Sequence, residues 1–209
     1  MKTNKIWILF WLLFFSATGL QAKDFKFGAL GGLDIANSRW TNKPDFTGDS
    51  HIFNPMLSFN INGFIGYRSN GRYGLSAEPG FIRKGGRASE NLGNYRLELN
   101  YIQMPLLTDW YLTDKWMISI GPEFAYLIKA VAKSKNFSND ISDNYDYKFE
   151  VSGLVGVTYS IGKHTDLGVR YNHGITRVLE TTWTDMSGIQ TGVSREYNQY
   201  FQFLLTFKI

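Results

Sequence analysis

Five charged residues, Glu78, Glu123, Glu150, Lys129 and Arg170, stand within stretches that otherwise alternate apolar and polar side chains. They are the residues with which this chain could do chemistry. Two carboxylates such as Glu78 and Glu123 are the raw material of acid–base work, or else competitors for one arginine. In an alternating strand, though, a charge on the polar phase faces whatever the apolar phase does not. If the apolar phase faces lipid, the charged side chains must point into an interior and pair there, because a mid-plane Arg or Lys facing lipid costs about 2–4 kcal/mol. The expectation is a charge network that fills an interior: Glu78, Glu123 and Arg170 at its centre, Glu150 and Lys129 nearer one rim. Its alternative is a small gated conductance through the same residues.

The imidazoles are few. His51 falls in a long polar segment, His164 in a short turn at the opposite end, and His173 on the apolar phase of a strand. His51 and His164 are too far apart to share a metal. A nucleophilic serine beside His173 would make a lipid-modifying enzyme, but no serine in the flanking strands is placed for it. Asp140, Asp143 and Asp146 lack the glycine and terminal glutamate of a calcium loop. No catalytic, metal or cofactor site is expected, and the chain reads as a non-enzyme.

The elements that position these residues follow from period two. The first strand, 24–36, sets Phe25, Phe27, Ala29, Leu33 and Ile35 against Lys26, Gly28, Gly32 and Asp34. The second, 55–68, sets Leu57, Phe59, Ile61 and Ile65 against Ser58, Asn60 and Asn62. A tight Asn70-Gly71 turn leads to a third strand with Tyr73, Leu75, Ala77 and Phe81 opposite Ser76 and Glu78. The fourth strand, 95–112, holds two apolar phases, Leu97-Leu99-Tyr101 and Ile102-Met104-Leu106; a bulge near Tyr101–Pro105 would switch them. The fifth strand, 115–132, places Met117, Ser119, Glu123 and Lys129 on its polar face. The sixth, 147–161, and the seventh, with Leu167, Val169 and Tyr171 opposite Asp166 and Arg170, join through Gly162-Lys163-His164. The last runs from Tyr197 through Phe201, Phe203, Leu205 and Phe207 to Ile209.

Short turns thus alternate with four long polar segments, Asn37–Asn54, Arg83–Asn94, Lys133–Asp146 and Arg177–Glu196. That alternation predicts an all-β fold: an eight-stranded antiparallel transmembrane barrel in the bacterial outer membrane, with both ends on the side of the short turns. Tyr67, Tyr73, Trp110, Tyr111 and Trp116 cluster at those turns as interfacial aromatics. The aromatic terminal strand is also a tag for the barrel-assembly machinery.

Residues 1–22 read as a cleavable signal peptide: Lys2 and Lys5, an apolar run from Ile6 to Leu20, and Ala22 at the cleavage point. Its apolar run is short for a spanning helix, which needs about 20 residues. Residues 23–209 form one barrel domain. Removing the leader takes two of the 22 basic residues and none of the 18 acidic ones, so the formal charge falls from +4 to +2. No basic block or recognition motif points to nucleic acid. With no cysteine, disulfides, thiolate metal sites and lipoprotein processing are excluded.

Several segments carry a resemblance: Glu78-Pro79-Gly80-Phe81 with Arg83-Lys84-Gly85, Tyr101-Ile102-Gln103-Met104-Pro105-Leu106-Leu107, Gly121-Pro122-Glu123, and Asp166-Leu167-Gly168-Val169-Arg170-Tyr171. In order and spacing they resemble the PorT-like outer-membrane β-barrel proteins of Bacteroidetes across nearly the whole mature chain. The resemblance implies an eight-stranded outer-membrane barrel and, through the family's namesake, a link to type IX secretion; no feature here ties this chain to the secretion branch. The expected role is structural or interactive, through the loops or as a subunit of an envelope assembly. Outer-membrane lipid, the assembly machinery and an envelope protein are the expected partners.

Overall fold

The computed structural model describes residues 25–41, 53–69, 71–88, 95–184 and 187–209. The leader at 1–22, Asn70, His51 and the centre of the first long loop lie outside the described residues. Eight strands close on themselves, as the alternation predicts. They are β1 (Phe25–Thr41), β3 (Met56–Arg68) with the short β2 (Phe53–Asn54) before it, a strand in two parts, β4 (Tyr73–Ala77) and β5 (Gly80–Ala88), then β6 (Arg96–Tyr111), β7 (Trp116–Lys133), β9 (Phe149–Ser160), β10 (Thr165–Gly174) and β12 (Gln190–Lys208). Each pairs antiparallel with its neighbours, and β1 closes the ring onto β12 over a register running from Gly28↔Lys208 to Thr41↔Arg195. Closure removes the free sheet edges that lipid could not satisfy.

The faces sort by phase. Phe203 lies between Leu33 of β1 and Val169 of β10, and all three are about half exposed on the outside. On the inward phase of the same strands Asp34, Gln202 and Arg170 are buried. At the end bearing the short turns, Phe25 packs on Tyr67, Tyr73 on Trp110, and Trp116 on Tyr159, forming an aromatic girdle. Tyr111, expected in that girdle, instead shares the inward phase of Asp109 and lies under the Arg68 guanidinium, 3.9 Å from the ring centroid.

A crossing needs about 9–11 tilted residues per strand, yet β1, β6, β7 and β12 run for 17, 16, 18 and 19 residues. The excess lies at the loop end. There β11 (Leu179–Thr184) pairs with β12, and β8 (Ser138–Asp140) pairs with β7. The segment Arg177–Glu196, expected as a loop, is therefore largely a hairpin that continues the barrel wall. Its residues alternate too, and the ladder extends wherever a partner strand is available.

The expected phase switch near Tyr101–Pro105 does not occur within β6. Leu97, Leu99, Tyr101 and Gln103 all face inward, and Ile102, Met104 and Leu106 all face outward. Both apolar sets exist because the interior itself turns apolar at the loop end. The register does break opposite Asn100/Tyr101, but the extra residue is Ile128 on β7. Ile128 and Lys129 are both exposed there, so the phase flips and Lys129 points outward.

Gly85 lets β5 approach β6 closely here: its φ is +122°, and a Cβ would sit 2.0 Å from the Leu97 carbonyl oxygen of β6. Gly85→Ala is expected to destabilise the folded barrel by roughly 1–3 kcal/mol. Gly71→Ala, where a Cβ meets nothing within 4 Å, leaves stability unchanged. Urea midpoints of the two purified variants, read by the loss of the fast-migrating unheated band, test the pair.

Candidate functional site

The interior is built in layers along the barrel axis. At the turn end, Lys208 Nζ lies 2.5 Å from Asp166 Oδ2 beside a cleft of about 20 Å³ lined by Lys26, Arg68, Tyr111 and Arg170 among others. That volume suits about one water. Above it, Arg170 of β10 grips Glu78 with both terminal nitrogens, one at 2.7 Å. The pair bridges opposite walls: Glu78, at the break between β4 and β5, lies four strands from β10 around the ring. Asp109 accepts a hydrogen bond from the Ser119 hydroxyl at 2.6 Å. A ladder of side chains crosses β1, β3 and β6: Asn60 donates to Asp34 at 2.8 Å, Asn62 to Asn60 at 3.3 Å, and Gln103 to Asn62 at 3.1 Å.

The centre is Lys84. Its ammonium donates to Glu123 Oε1 at 2.9 Å and to Glu150 Oε1 at 3.0 Å. The rings of Tyr101 and Tyr200 flank it at 4.8 and 5.1 Å. The Tyr200 hydroxyl donates to Glu123, and Asn198 donates to Glu150 Oε2 at 2.8 Å and reaches the Tyr101 oxygen at 3.2 Å. All of these side chains are essentially inaccessible to solvent. Among the described residues seven carboxyl groups are buried but only two cations, Lys84 and Arg170. Lys84 is shared between two carboxylates and Arg170 is spent on one, so each is hard to replace.

Beyond Lys84 the interior becomes apolar. Ile82, Leu97, Leu99, Ala125, Leu127, Ala130, Tyr145 and Val178 form one cluster that closes the loop end.

Of the five residues expected in the charge network, the structure pairs Glu78 with Arg170 and joins Glu123 to Glu150 through Lys84. Lys129 is outside it, at the surface, 3.8 Å from Asp140. Its exclusion follows from the β7 bulge, and the cation that replaces it is one expected in the loop Arg83–Asn94. Lys84 was legible all the same: Ser76, Glu78, Ile82 and Lys84 share one parity, so a strand carried a few residues past Phe81 puts it inside. The Asp34–Asn60–Asn62–Gln103 ladder likewise shows as polar residues on matching phases of three strands.

The other candidates separate cleanly. His173 is exposed, with one ring nitrogen 3.0 Å from the Tyr171 hydroxyl and the other 3.4 Å from Arg39. His164 lies against the Lys208 carbonyl. Asp140 accepts from both the hydroxyl and the backbone N–H of Ser142, which hold its carboxyl below the usual range. Among the described residues, no three His, Asp or Glu side chains converge as metal ligands.

A family profile described as Outer membrane protein beta-barrel domain matches residues 16–180. No curated protein matches the chain. Among solved structures the chain is similar to Ail, the attachment invasion locus protein of Yersinia pestis, at 10% identity and a TM-score of 0.48, covering 89% of this chain and 99% of that one. It is similar to Neisserial surface protein A at 14% identity and 0.48, over 89% and 97% of the two chains. It is similar to OprG from Pseudomonas aeruginosa at 10% identity and 0.48, over 88% and 95%.

Removing the central cation leaves two buried carboxylates facing each other. Lys84→Met is expected to lower stability by roughly 3–5 kcal/mol. Adding Glu123→Gln and Glu150→Gln to it recovers most of the loss, because the stranded charges go with the cation. Urea denaturation of the single and triple variants measures both; equal midpoints for the two would show that Lys84 contributes nothing through its charge.

Proposed function

The chain belongs to the outer membrane protein beta-barrel domain family, integral to the outer membrane, and from that premise we propose that it is a closed barrel with a structural or interaction role. The observation that carries the reading is the filled lumen: the side chains of the Lys84 cluster and of the apolar layer above it are buried and bonded or packed against one another across the bore. An eight-stranded interior is only just wide enough for its own side chains, and these side chains are bonded to one another across the bore. The rival reading, a small pore gated by Glu78, Glu123 and Arg170, would require breaking a doubly bonded Arg–Glu pair and then the Lys84 cluster.

What remains for function is the loop end, where the long strands carry β8 and β11 outside the membrane. A basic cleft there is lined by Arg87, Arg96, Lys133 and Lys135, which favours a partner with an acidic surface. The exposed rim of a rigid barrel is a usual place for binding. The enzyme reading has little support, since both nitrogens of His173 are engaged by Tyr171 and Arg39. The segments quoted above favour the PorT-like branch of the family and a Bacteroidetes origin. The leader composition favours cleavage after Ala22. The outward Phe201, Phe203, Leu205 and Phe207 of β12 suit recognition by the assembly machinery.

Two measurements test the proposal together. Purified barrel in a planar bilayer is expected to show no discrete conductance steps. Cross-linking of the tagged protein in its native outer membrane is expected to capture one stoichiometric envelope protein, and reversing charge at Arg87, Arg96, Lys133 and Lys135 weakens the capture. Regular conductance steps from the unmodified protein would overturn the closed-barrel reading, and a barrel found with lipid alone would overturn the interaction role.

A further inference from the structure

Glu196 lies where the loop end of the barrel wall doubles. The register sets it beside Trp40 of β1 on one side and Leu179 of β11 on the other. Its side chain is inward and wholly buried. The Ser38 hydroxyl is the one polar side chain near it, and no well-formed hydrogen bond reaches either carboxylate oxygen. No described lysine or arginine pairs with it. Arg195, its neighbour in sequence, faces the other way and is held by Glu180 at 2.9 Å, and Arg177 is held by the same carboxylate at 2.9 Å. A buried carboxyl with at most one hydroxyl to accept from is a rare state in a folded protein, and burying one without a counter-charge is costly.

The carboxyl also borders a cavity of about 440 Å³. Trp40, Tyr95, Phe137, Tyr145 and Leu179 contribute to its walls. The Tyr95 and Phe137 rings approach to 6.5 Å between centroids. The Trp40 indole nitrogen is buried without an acceptor as well. Aromatic walls attract a positive charge through the negative faces of their rings, and the carboxylate attracts the same charge. An apolar cleft with a few converging polar groups has the composition of a small-molecule site.

We propose that this cavity binds a small organic cation: an amine or quaternary ammonium on an apolar body, its charge set against Glu196 and its body between the aromatic walls. The unpartnered Trp40 N–H adds a preference for an acceptor on that body. The inference is separate from the closed-barrel role: the cavity borders the apolar layer and shares Tyr145 with it, but Glu196 takes no part in the Lys84 cluster that fills the bore.

The test uses the full barrel in lipid nanodiscs, titrated calorimetrically with phenethylammonium, tetraethylammonium and the uncharged 2-phenylethanol. At least one cation is expected to saturate a single site, and the neutral alcohol to bind more weakly. Glu196→Gln, which removes a buried charge and so leaves the folded band intact, is expected to weaken the cation by about tenfold or more while leaving the alcohol unchanged. Leu179→Trp fills the cavity with the carboxylate in place and is expected to abolish both. The proposal is overturned if neither cation saturates, if the alcohol binds as tightly as the cations, or if Glu196→Gln binds them as the unmodified protein does. Loss of a captured envelope partner would leave these results untouched.

Discussion

One ammonium group between two carboxylates, Lys84 between Glu123 and Glu150, is the interaction on which the rest of the interior depends. The closed ring leaves its inward side chains neither lipid nor bulk water. Inward polar groups then find their partners mostly on other strands of the same ring. Lys84 does this for β5, β7 and β9 at once, and Tyr200 and Asn198 bring in β12. Charge, hydrogen bonds and ring faces all converge on one nitrogen. The hub is therefore also a seal, because the groups that satisfy it are the groups that occupy the bore.

The same constraint explains the layering. Toward the turn end the interior is polar: Arg170 reaches Glu78 across the barrel, and Lys208 meets Asp166 on the neighbouring strand. Toward the loop end, where the strands outrun the membrane, the outside of the wall is free to be polar and the inside becomes apolar. Arg83 and Glu98 face outward there and meet at 3.3 Å, while Leu97, Leu99 and Ile82 are buried within. The barrel is inside-out through the membrane and resembles a water-soluble β-protein beyond it. Glu196 departs from that pattern: it is a carboxyl beside the apolar layer, which is why its lack of a counter-ion stands out.

Much of this was legible before any coordinates. Period two placed nearly every strand and named Glu78, Glu123, Glu150 and Arg170 as inward. Where the reading failed, one local choice had been carried too far. Ending the third strand at Phe81 put Lys84 into a loop. Carrying the fifth strand's phase unbroken past Ile128 put Lys129 inside. Giving the fourth strand one lipid-facing phase demanded a switch in β6, when its two apolar sets simply serve an apolar exterior and an apolar interior. Tyr111 was assigned by its neighbours in sequence instead of by its parity with Asp109.

The sequence by itself determined which face of most strands meets lipid, how many strands there are and which ends lie together, because alternation and turn chemistry are local and repeat along the chain. Which inward residues touch was decided only by the tertiary structure. Glu78 and Arg170 are 92 positions apart and Lys84 and Glu150 are 66 apart. Their meeting depends on register, on the stagger of eight strands around a closed ring, and on a single extra residue in β7. A shift of one residue in any ladder exchanges the two faces of a strand, so the network belongs to the closed barrel and to no segment of it.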